Sequence, residues 1–236
     1  MIKNTIVLVL VLGLSLIFAA LWMGFVPGSE LNEVARYYAD NTAREVGAQN
    51  IVTAIIVTYR GLDTLGEVTV LFLTAAIVGL VLARARALER AAYTRPQELP
   101  PAGELLEIGA RLLVPLILLF GAYVFINGHL TPGGGFQGGA IVASAVLLML
   151  LTDPLRRFSR RLITLVESTM GLVYVAIGVI GLALAGGFLD NRILPLGEFG
   201  SLFSAGAIPV IYSLIGLKVG AEFSAMMVSL SETEDR

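Results

Sequence analysis

Six long apolar runs dominate this sequence of 236 residues. A hydrocarbon layer about 30 Å thick is crossed by about 20 apolar residues in a helix, and the runs lack the alternating polarity of barrel strands. Charged residues make up only 14% of the chain, against about 25% in soluble domains. The sequence therefore predicts an all-α integral membrane bundle of about six transmembrane helices, at about residues 6–26, 64–82, 105–126, 138–151, 162–184 and 204–228.

The arginines predict the orientation of these spans. They are concentrated after the second and fourth spans, at Arg84, Arg86, Arg90, Arg95, Arg156, Arg157, Arg160 and Arg161. Short loops rich in Lys and Arg remain in the cytoplasm, so we expect both termini inside and residues 30–63 and 129–139 outside. The polar stretch 30–49 and the short apolar piece 51–58 then form an external amphipathic segment between the first two helices.

A proline-containing segment, Arg95-Pro-Gln-Glu-Leu-Pro-Pro-Ala-Gly103, separates two parts of the chain. Proline and glycine interrupt helices, so residues 93–103 are predicted to be a linker. It joins a two-helix module, residues 1–92, to a four-helix module, residues 104–236.

Composition excludes several classes of function. The chain has no cysteine and one histidine, so we expect no disulfide, iron–sulfur cluster, metal site or other cofactor in this chain. A net charge of -2 gives no footprint for nucleic acid. No nucleophile and base stand at useful spacing, so a non-catalytic protein is predicted, with no catalytic residues.

Ionisable side chains within the spans are the first candidates for function, because they are costly in lipid and usually face a bundle interior or a wet cavity. Lys218 and Glu222 lie four residues apart on the sixth span and share one helical face. They suit either a proton relay or a structural pair. The other candidates for an ion path are Glu67, Asp63 and Glu167, of which Glu167 could also simply reach the headgroups.

A proline- and glycine-rich run precedes the fourth span, with Pro132, Gly133, Gly134, Gly135, Phe136, Gly138 and Gly139. Proline and glycine disfavour a helix by about 3 and 1 kcal/mol per residue, so the run predicts a helix break at a subunit contact. Broken helices often mark ion sites, although glycines also allow close helix packing. The adjacent His129 is a further ion-path candidate that could titrate near neutrality, or a hydrogen-bonding residue at the interface.

These motifs resemble a known family. Residues 104–230, with His129 and Thr131-Pro-Gly-Gly-Gly-Phe-Gln-Gly-Gly139, resemble the B-type subunit of the Mrp-type multisubunit cation/proton antiporters. Residues 1–90, with Asn50-Ile-Val-Thr-Ala-Ile-Ile-Val-Thr-Tyr-Arg-Gly-Leu-Asp-Thr-Leu-Gly-Glu67, resemble the last two spans of the large A-type subunit of these antiporters. That large subunit ordinarily keeps its last spans, whereas here they are joined to a B-like module. The chain is thus more similar to the Mrp-like modules of archaeal membrane-bound hydrogenase and sulfane-sulfur reductase complexes, which split this region into small proteins.

The resemblance implies a membrane subunit of an ion-translocating module that couples Na⁺ and H⁺ movement, with redox chemistry in separate peripheral subunits. Expected partners are other Mrp-like membrane subunits, namely A/D-like, C-like and small E/F/G-like ones. The expected location is the plasma membrane of an archaeon or bacterium, as a multi-pass protein. A stand-alone Mrp antiporter and a purely structural scaffold are the two alternatives.

Overall fold

The computed structural model describes residues 2–25, 30–92, 102–153 and 156–234. Within these ranges the chain is helical and contains no strand. The elements are α1 (Ile2–Gly24), α2 (Glu33–Glu45), α3 (Ile51–Thr53), a π-helix (Ala54–Tyr59), α4 (Gly61–Ala92), α5 (Glu104–Ile126), α6 (Gly135–Thr152), α7 (Arg160–Leu184), a 3₁₀ turn (Asn191–Ile193) and α8 (Ile208–Glu234).

Six of the described helices, α1 and α4 to α8, are long and apolar enough to cross a membrane. The prediction of an all-α bundle with six spans is confirmed. The predicted linker lies mostly outside the described residues, which end at Ala92 and resume at Ala102.

Two span boundaries differ from the predicted ones. Helix α4 begins at Gly61 and continues to Ala92, so Arg84 lies in a helix instead of a loop. The last span was predicted from residue 204, but α8 begins at Ile208. Ala205 and Gly206 have φ angles of 61° and 57°, and this left-handed backbone cannot continue a right-handed helix.

The chain divides into two compact units, Met1–Tyr37 and Tyr38–Arg236. In the first unit, no side chain of the span Lys3–Gly24 is buried. Because α1 is apolar around its whole circumference, all of its faces suit lipid or another apolar protein surface.

In the second unit, α8 is the central helix and packs against α4, α5, α6 and α7. Small residues at the contact between α6 and α8 allow this close approach. A Cβ atom added at Gly139 of α6 would lie 2.7 Å from the carbonyl oxygen of Gly216. A Cβ atom added at Gly135 would lie 2.6 Å from the Cβ of Ile215. Small residues at helix contacts are typical of membrane bundles, in which association depends on van der Waals packing.

The connecting segments gather at one end of this unit, which we call the loop end: residues 46–60, 127–134 and 185–207. Asn191 is fully buried there, and its side chain donates hydrogen bonds to the carbonyl oxygens of Val46 and Ala205 at 2.8 and 3.0 Å. The opposite end carries Arg84, Arg156, Arg157, Arg160 and Arg161, and we call it the arginine-rich end. Within this unit, the segments predicted to be external thus share one end.

Candidate ion-path site

Lys218 and Glu222 form a buried ion pair in the middle of the central helix. Their side chains are 9% and 0% exposed, and the ammonium group donates a hydrogen bond to Oε1 of Glu222. A helix places residues i and i+4 on the same face, which is why the spacing alone brings the two groups together. A buried charge is tolerated when a partner compensates it, and this pair meets that condition.

The side chain of Lys218 lies where α4, α7 and α8 meet. Its Nζ atom is 5.2 Å from the centroid of the Phe72 ring, a distance at which a cation interacts with an aromatic face. Beside it is a cavity of about 190 Å³, lined mainly by apolar side chains of α4 and α7, with Tyr174 on its wall. The hydroxyl of Tyr174 is buried without a hydrogen-bond partner. An ammonium and a free hydroxyl therefore line one mainly apolar cavity.

Glu222 has one carboxylate oxygen in use and one free. Oε1 accepts the hydrogen bond from Lys218, while Oε2 is buried and has no partner. The half-buried Glu167 of α7 interacts electrostatically with Glu222. Of the predicted acidic candidates in the spans, Glu167 is therefore the one whose charge acts on Glu222.

Glu67 and Asp63 lie on the first turns of α4, towards the loop end. Asp63 is half-exposed and forms an ion pair with Arg60. Glu67 is exposed on the isolated chain but interacts electrostatically with Tyr174 and Tyr212. Within the described residues, no hydrogen bond or ion pair joins Glu67 or Asp63 to the Lys218–Glu222 pair.

His129 is fully buried at the loop end. Its Nε2 atom lies 3.3 Å from the carbonyl oxygen of Ser201, and its own carbonyl oxygen accepts hydrogen bonds from the backbone N–H groups of Gln49 and Asn50, both at 3.0 Å. Burial lowers the pKa of His129, and hydrogen bonds with the backbone, first that with Ser201, oppose the effect only in part. These contacts fasten three segments together, and His129 lies away from the lysine pair.

The glycine run breaks the helix over a shorter stretch than predicted. Helix α6 begins at Gly135, so Gly135, Phe136, Gly138 and Gly139 are helical, and the interruption is confined to Pro132, Gly133 and Gly134. The prediction of a break across the whole run was wrong for the last four residues. A Cβ atom at Gly138 would lie 2.7 Å from the carbonyl oxygen of Gly121. The helical glycines thus permit close packing within the chain, the alternative reading of this motif.

Several polar residues of the loop end escaped the sequence reasoning. Asn50 caps α3 and donates to the carbonyl oxygens of Gly128 and Thr131 at 2.9 and 3.0 Å. Thr53 donates to the same Gly128 oxygen at 2.6 Å and accepts from the hydroxyl of Tyr212 at 3.1 Å. An asparagine before an apolar run is a helix N-cap signal that could have identified Asn50. Nothing in the sequence pairs Thr53 with Tyr212, which is 159 residues away.

A second structured ion pair lies in the loop before α8. Nε of Arg192 donates to Oδ1 of Asp190 at 2.9 Å, and Asp190 also caps the 3₁₀ turn through the N–H of Arg192. Burial raises the pKa of Asp190, but the hydrogen bonds and the charge of Arg192 outweigh it, and the net shift is downward. This ion pair fixes the loop that carries Asn191.

In the part of the chain that the structure describes, six apolar helices long enough to cross a membrane, one of them with a buried ion pair, define a multi-pass membrane protein. A family model described as a domain related to the MnhB subunit of Na⁺/H⁺ antiporter matches residues 105–225. A second, MbhE, described as the E subunit of MBH, matches residues 3–98. The first covers half of the chain, so the protein belongs to the MnhB-related family, and the predicted resemblance is confirmed.

Solved structures extend the likeness to the whole chain. A chain of the membrane-bound sulfane sulfur reductase, an archaeal respiratory membrane complex, is 38% identical, with a TM-score of 0.82 over 98% of each chain. A chain of the Mrp complex from Dietzia is 27% identical, with a TM-score of 0.77 over 97% of this chain and 26% of that one. Both are chains of membrane complexes.

Two curated relatives fit the same picture. An uncharacterised protein of Methanocaldococcus jannaschii is 31% identical over 77% of this chain and 77% of its own length. A probable K⁺/H⁺ antiporter A/B subunit of Rhizobium meliloti is 31% identical over 55% of this chain, which spans only 15% of that protein. The A/B designation of the second agrees with the two family resemblances found in this sequence.

Proposed function

We propose that this protein is a non-catalytic membrane subunit of an Mrp-like Na⁺/H⁺-translocating module in a respiratory complex of the sulfane sulfur reductase or membrane-bound hydrogenase type. The observation that carries the proposal is the match to a sulfane sulfur reductase chain over 98% of both chains. A likeness of that extent includes the unusual union of an MbhE-like and an MnhB-like segment, whose matches end at residue 98 and begin at residue 105. The linker proposed at residues 93–103 falls at this junction.

Within that assembly, the two termini lie in the cytoplasm and the loop end faces outward. The arginine-rich end supports this orientation, since positively charged loops stay inside. The partners are A/D-like, C-like and small E/F/G-like Mrp subunits and a peripheral redox arm, in the plasma membrane of an archaeon or bacterium. The apolar circumference of α1 suits these neighbours or lipid.

Lys218, Glu222 and Glu67 are the residues proposed to serve the ion path. Their support is the burial of the lysine pair, the cavity beside it and the electrostatic contact of Glu67 with Tyr174. Charged groups at such depth are costly, and two polar groups, Tyr174 and Glu67, continue from the pair towards the loop end. At the loop end, Asp63 is exposed and pairs with Arg60, whereas His129 is buried and packs between loops.

The test is transport by the intact complex reconstituted in vesicles. Glu67→Gln and Lys218→Met should abolish Na⁺-dependent proton movement, while Glu198→Gln, an exposed loop carboxylate, should not. Assembly is followed by the subunit content of the purified complex. Full transport in both variants of an assembled complex would leave only the scaffold alternative.

The second candidate function is a subunit of a stand-alone Mrp antiporter, which the match to the Dietzia Mrp complex favours. The two functions differ in their neighbours. Mild solubilisation of native membranes, capture of this chain and identification of the bound proteins by mass should yield redox subunits for a respiratory complex. An assembly of antiporter-type subunits alone would establish the second candidate.

A further inference from the structure

Glu167 and Glu222 lie at the same depth on two antiparallel helices. One turn along each helix, Gly171 of α7 faces Lys218 of α8: a Cβ atom at Gly171 would be 3.3 Å from Cε of Lys218. Because α7 and α8 run in opposite directions, the residues one turn towards the arginine-rich end are Glu167 on α7 and Glu222 on α8. Their electrostatic interaction agrees with this register.

We propose that Glu167 and Glu222 form a proton-binding pair that shares one proton beside the Lys218 ammonium. The inference rests on the proposed function and deepens it, since it names the ion and adds a residue of α7 to the site. The transfer is a simple exchange. The O–H bond on Glu167 breaks, an O–H bond forms on Oε2 of Glu222, and the negative charge moves from Glu222 to Glu167.

The charge balance requires one proton on the pair. The lysine contributes one positive charge, and one carboxylate neutralises it. A second ionised carboxylate in a membrane span would be uncompensated, and two adjacent carboxylates without a proton repel each other. Oε2 of Glu222 is buried, and no group of the described chain forms a hydrogen bond with it. This oxygen can therefore carry the proton.

Where the structure describes their side chains, the other charged residues of the neighbouring helices lie towards the two ends of the bundle. On α7 these are Arg160 and Arg161, about two turns from Glu167. Helix α6 has no charged residue. On α5, Glu104 lies on the first turn, and Glu107 and Arg111 pair with each other. On α4, Glu67 lies towards the loop end, near Tyr174, and Arg84 lies at the arginine-rich end. The balance at mid-depth is therefore set by Lys218, Glu222 and Glu167.

A proton fits this site better than a metal cation does. The ammonium of Lys218 already occupies Oε1 of Glu222, and its positive charge repels a second cation at contact distance. A proton on Oε2 needs no shell of oxygen ligands, whereas a hard cation needs about six. The site therefore takes H⁺, and Na⁺ would have to bind elsewhere in the assembly.

A cleft lies between the site and the arginine-rich end. A cavity of about 50 Å³ lies between α7 and α8 and is lined by Arg160, Ile163, Thr164, Ala225 and Val228. Thr164 and Ala225 are each three residues, less than one helical turn, from Glu167 and Glu222 respectively. The cleft thus ends within about one helical turn of the carboxyl pair, and in the proposed path Glu167 is the first acceptor and Glu222 the second.

Infrared spectroscopy of the intact purified complex tests the shared proton directly. The C=O stretch of protonated carboxyl groups near neutral pH is compared between wild type and single variants. Glu222→Gln and Glu167→Gln should each lose the signal of one protonated carboxyl, because the remaining carboxylate ionises to balance Lys218. Lys218→Met should gain one, and Glu198→Gln should change nothing.

A persistent signal in either glutamine variant overturns the shared proton, and so does loss of the signal on adding Na⁺ to the wild type. If a glutamine variant fails to assemble, Glu167→Asp and Glu222→Asp replace it. Each should keep one protonated carboxyl with a shifted frequency, and loss of the signal counts against the proposal. Transport separates the two hypotheses: a correct infrared pattern with unaltered transport refutes the ion path and leaves the proton pair standing.

Discussion

Gly171 provides the space in which the stem of Lys218 lies. A Cβ atom at this position would be 3.3 Å from Cε and 3.6 Å from Cδ of the lysine. The side chain of Lys218 therefore depends on a residue of another helix, 47 positions earlier in the chain. The register of the proposed Glu167–Glu222 proton pair rests on this contact between α7 and α8.

Replacing Gly171 should move the ammonium group. Gly171→Leu is expected to displace Lys218 from Glu222 and to abolish ion-coupled transport, since leucine fills the volume of the lysine stem. Gly171→Ala should have a smaller effect, because its Cβ is tight but not overlapping. Gly79→Leu is the matched control, as a Cβ there meets nothing within 4 Å. Equal transport in the two leucine variants would contradict the contact.

The Lys218–Glu222 pair should show strong non-additivity in stability. Removing one partner of a buried ion pair costs about 3–5 kcal/mol, while replacing both by neutral groups costs much less. We expect Lys218→Met to lower the unfolding temperature of the solubilised complex more than the double variant Lys218→Met with Glu222→Gln. If the losses in the Lys218→Met and Glu222→Gln single variants add up to the loss in the double variant, the two residues are not coupled.

The packing glycines should be intolerant of a methyl group. A Cβ atom at Gly138 would overlap the carbonyl oxygen of Gly121 at 2.7 Å, and backbone cannot yield as a flexible side chain can. Gly138→Ala is expected to cost about 1–3 kcal/mol, the usual cost of overpacking. Thermal unfolding of the solubilised complex measures the loss, with Gly79→Ala as the control in open space. An unchanged midpoint for Gly138→Ala would refute the close contact.

His129 should make stability depend on pH. Its pKa in the folded chain is lowered below the ordinary 6.5 by burial. Between the lowered pKa and 6.5, the unfolded chain binds more protons than the folded chain. The contribution of His129 to the free energy of unfolding is therefore fully present above pH 6.5 and is lost as the pH falls towards the lowered pKa. The unfolding temperature of wild type should fall more steeply below 6.5 than that of His129→Gln. Parallel curves would show that the histidine is not buried in neutral form.

Much of the fold followed from the sequence because it depends on local properties. The length and hydropathy of each run set the six spans, and the i, i+4 spacing of Lys218 and Glu222 set their pairing within one helix. Composition excluded soluble and cysteine-dependent chemistry. The family resemblance likewise rested on contiguous motifs, which can be read without knowing which helices touch.

The relations between helices were decided only by tertiary structure. The register of α7 and α8 lets the charge of Glu167 act on Glu222. Helix α6 begins within the glycine run, at Gly135, and its glycines pack closely against α5 and α8. His129 is buried at the loop end, where it contacts residues of two other loops. The physical reason is the same throughout: hydropathy determines that a segment enters the membrane, but the depth and partners of each polar group depend on side chains that meet from distant positions.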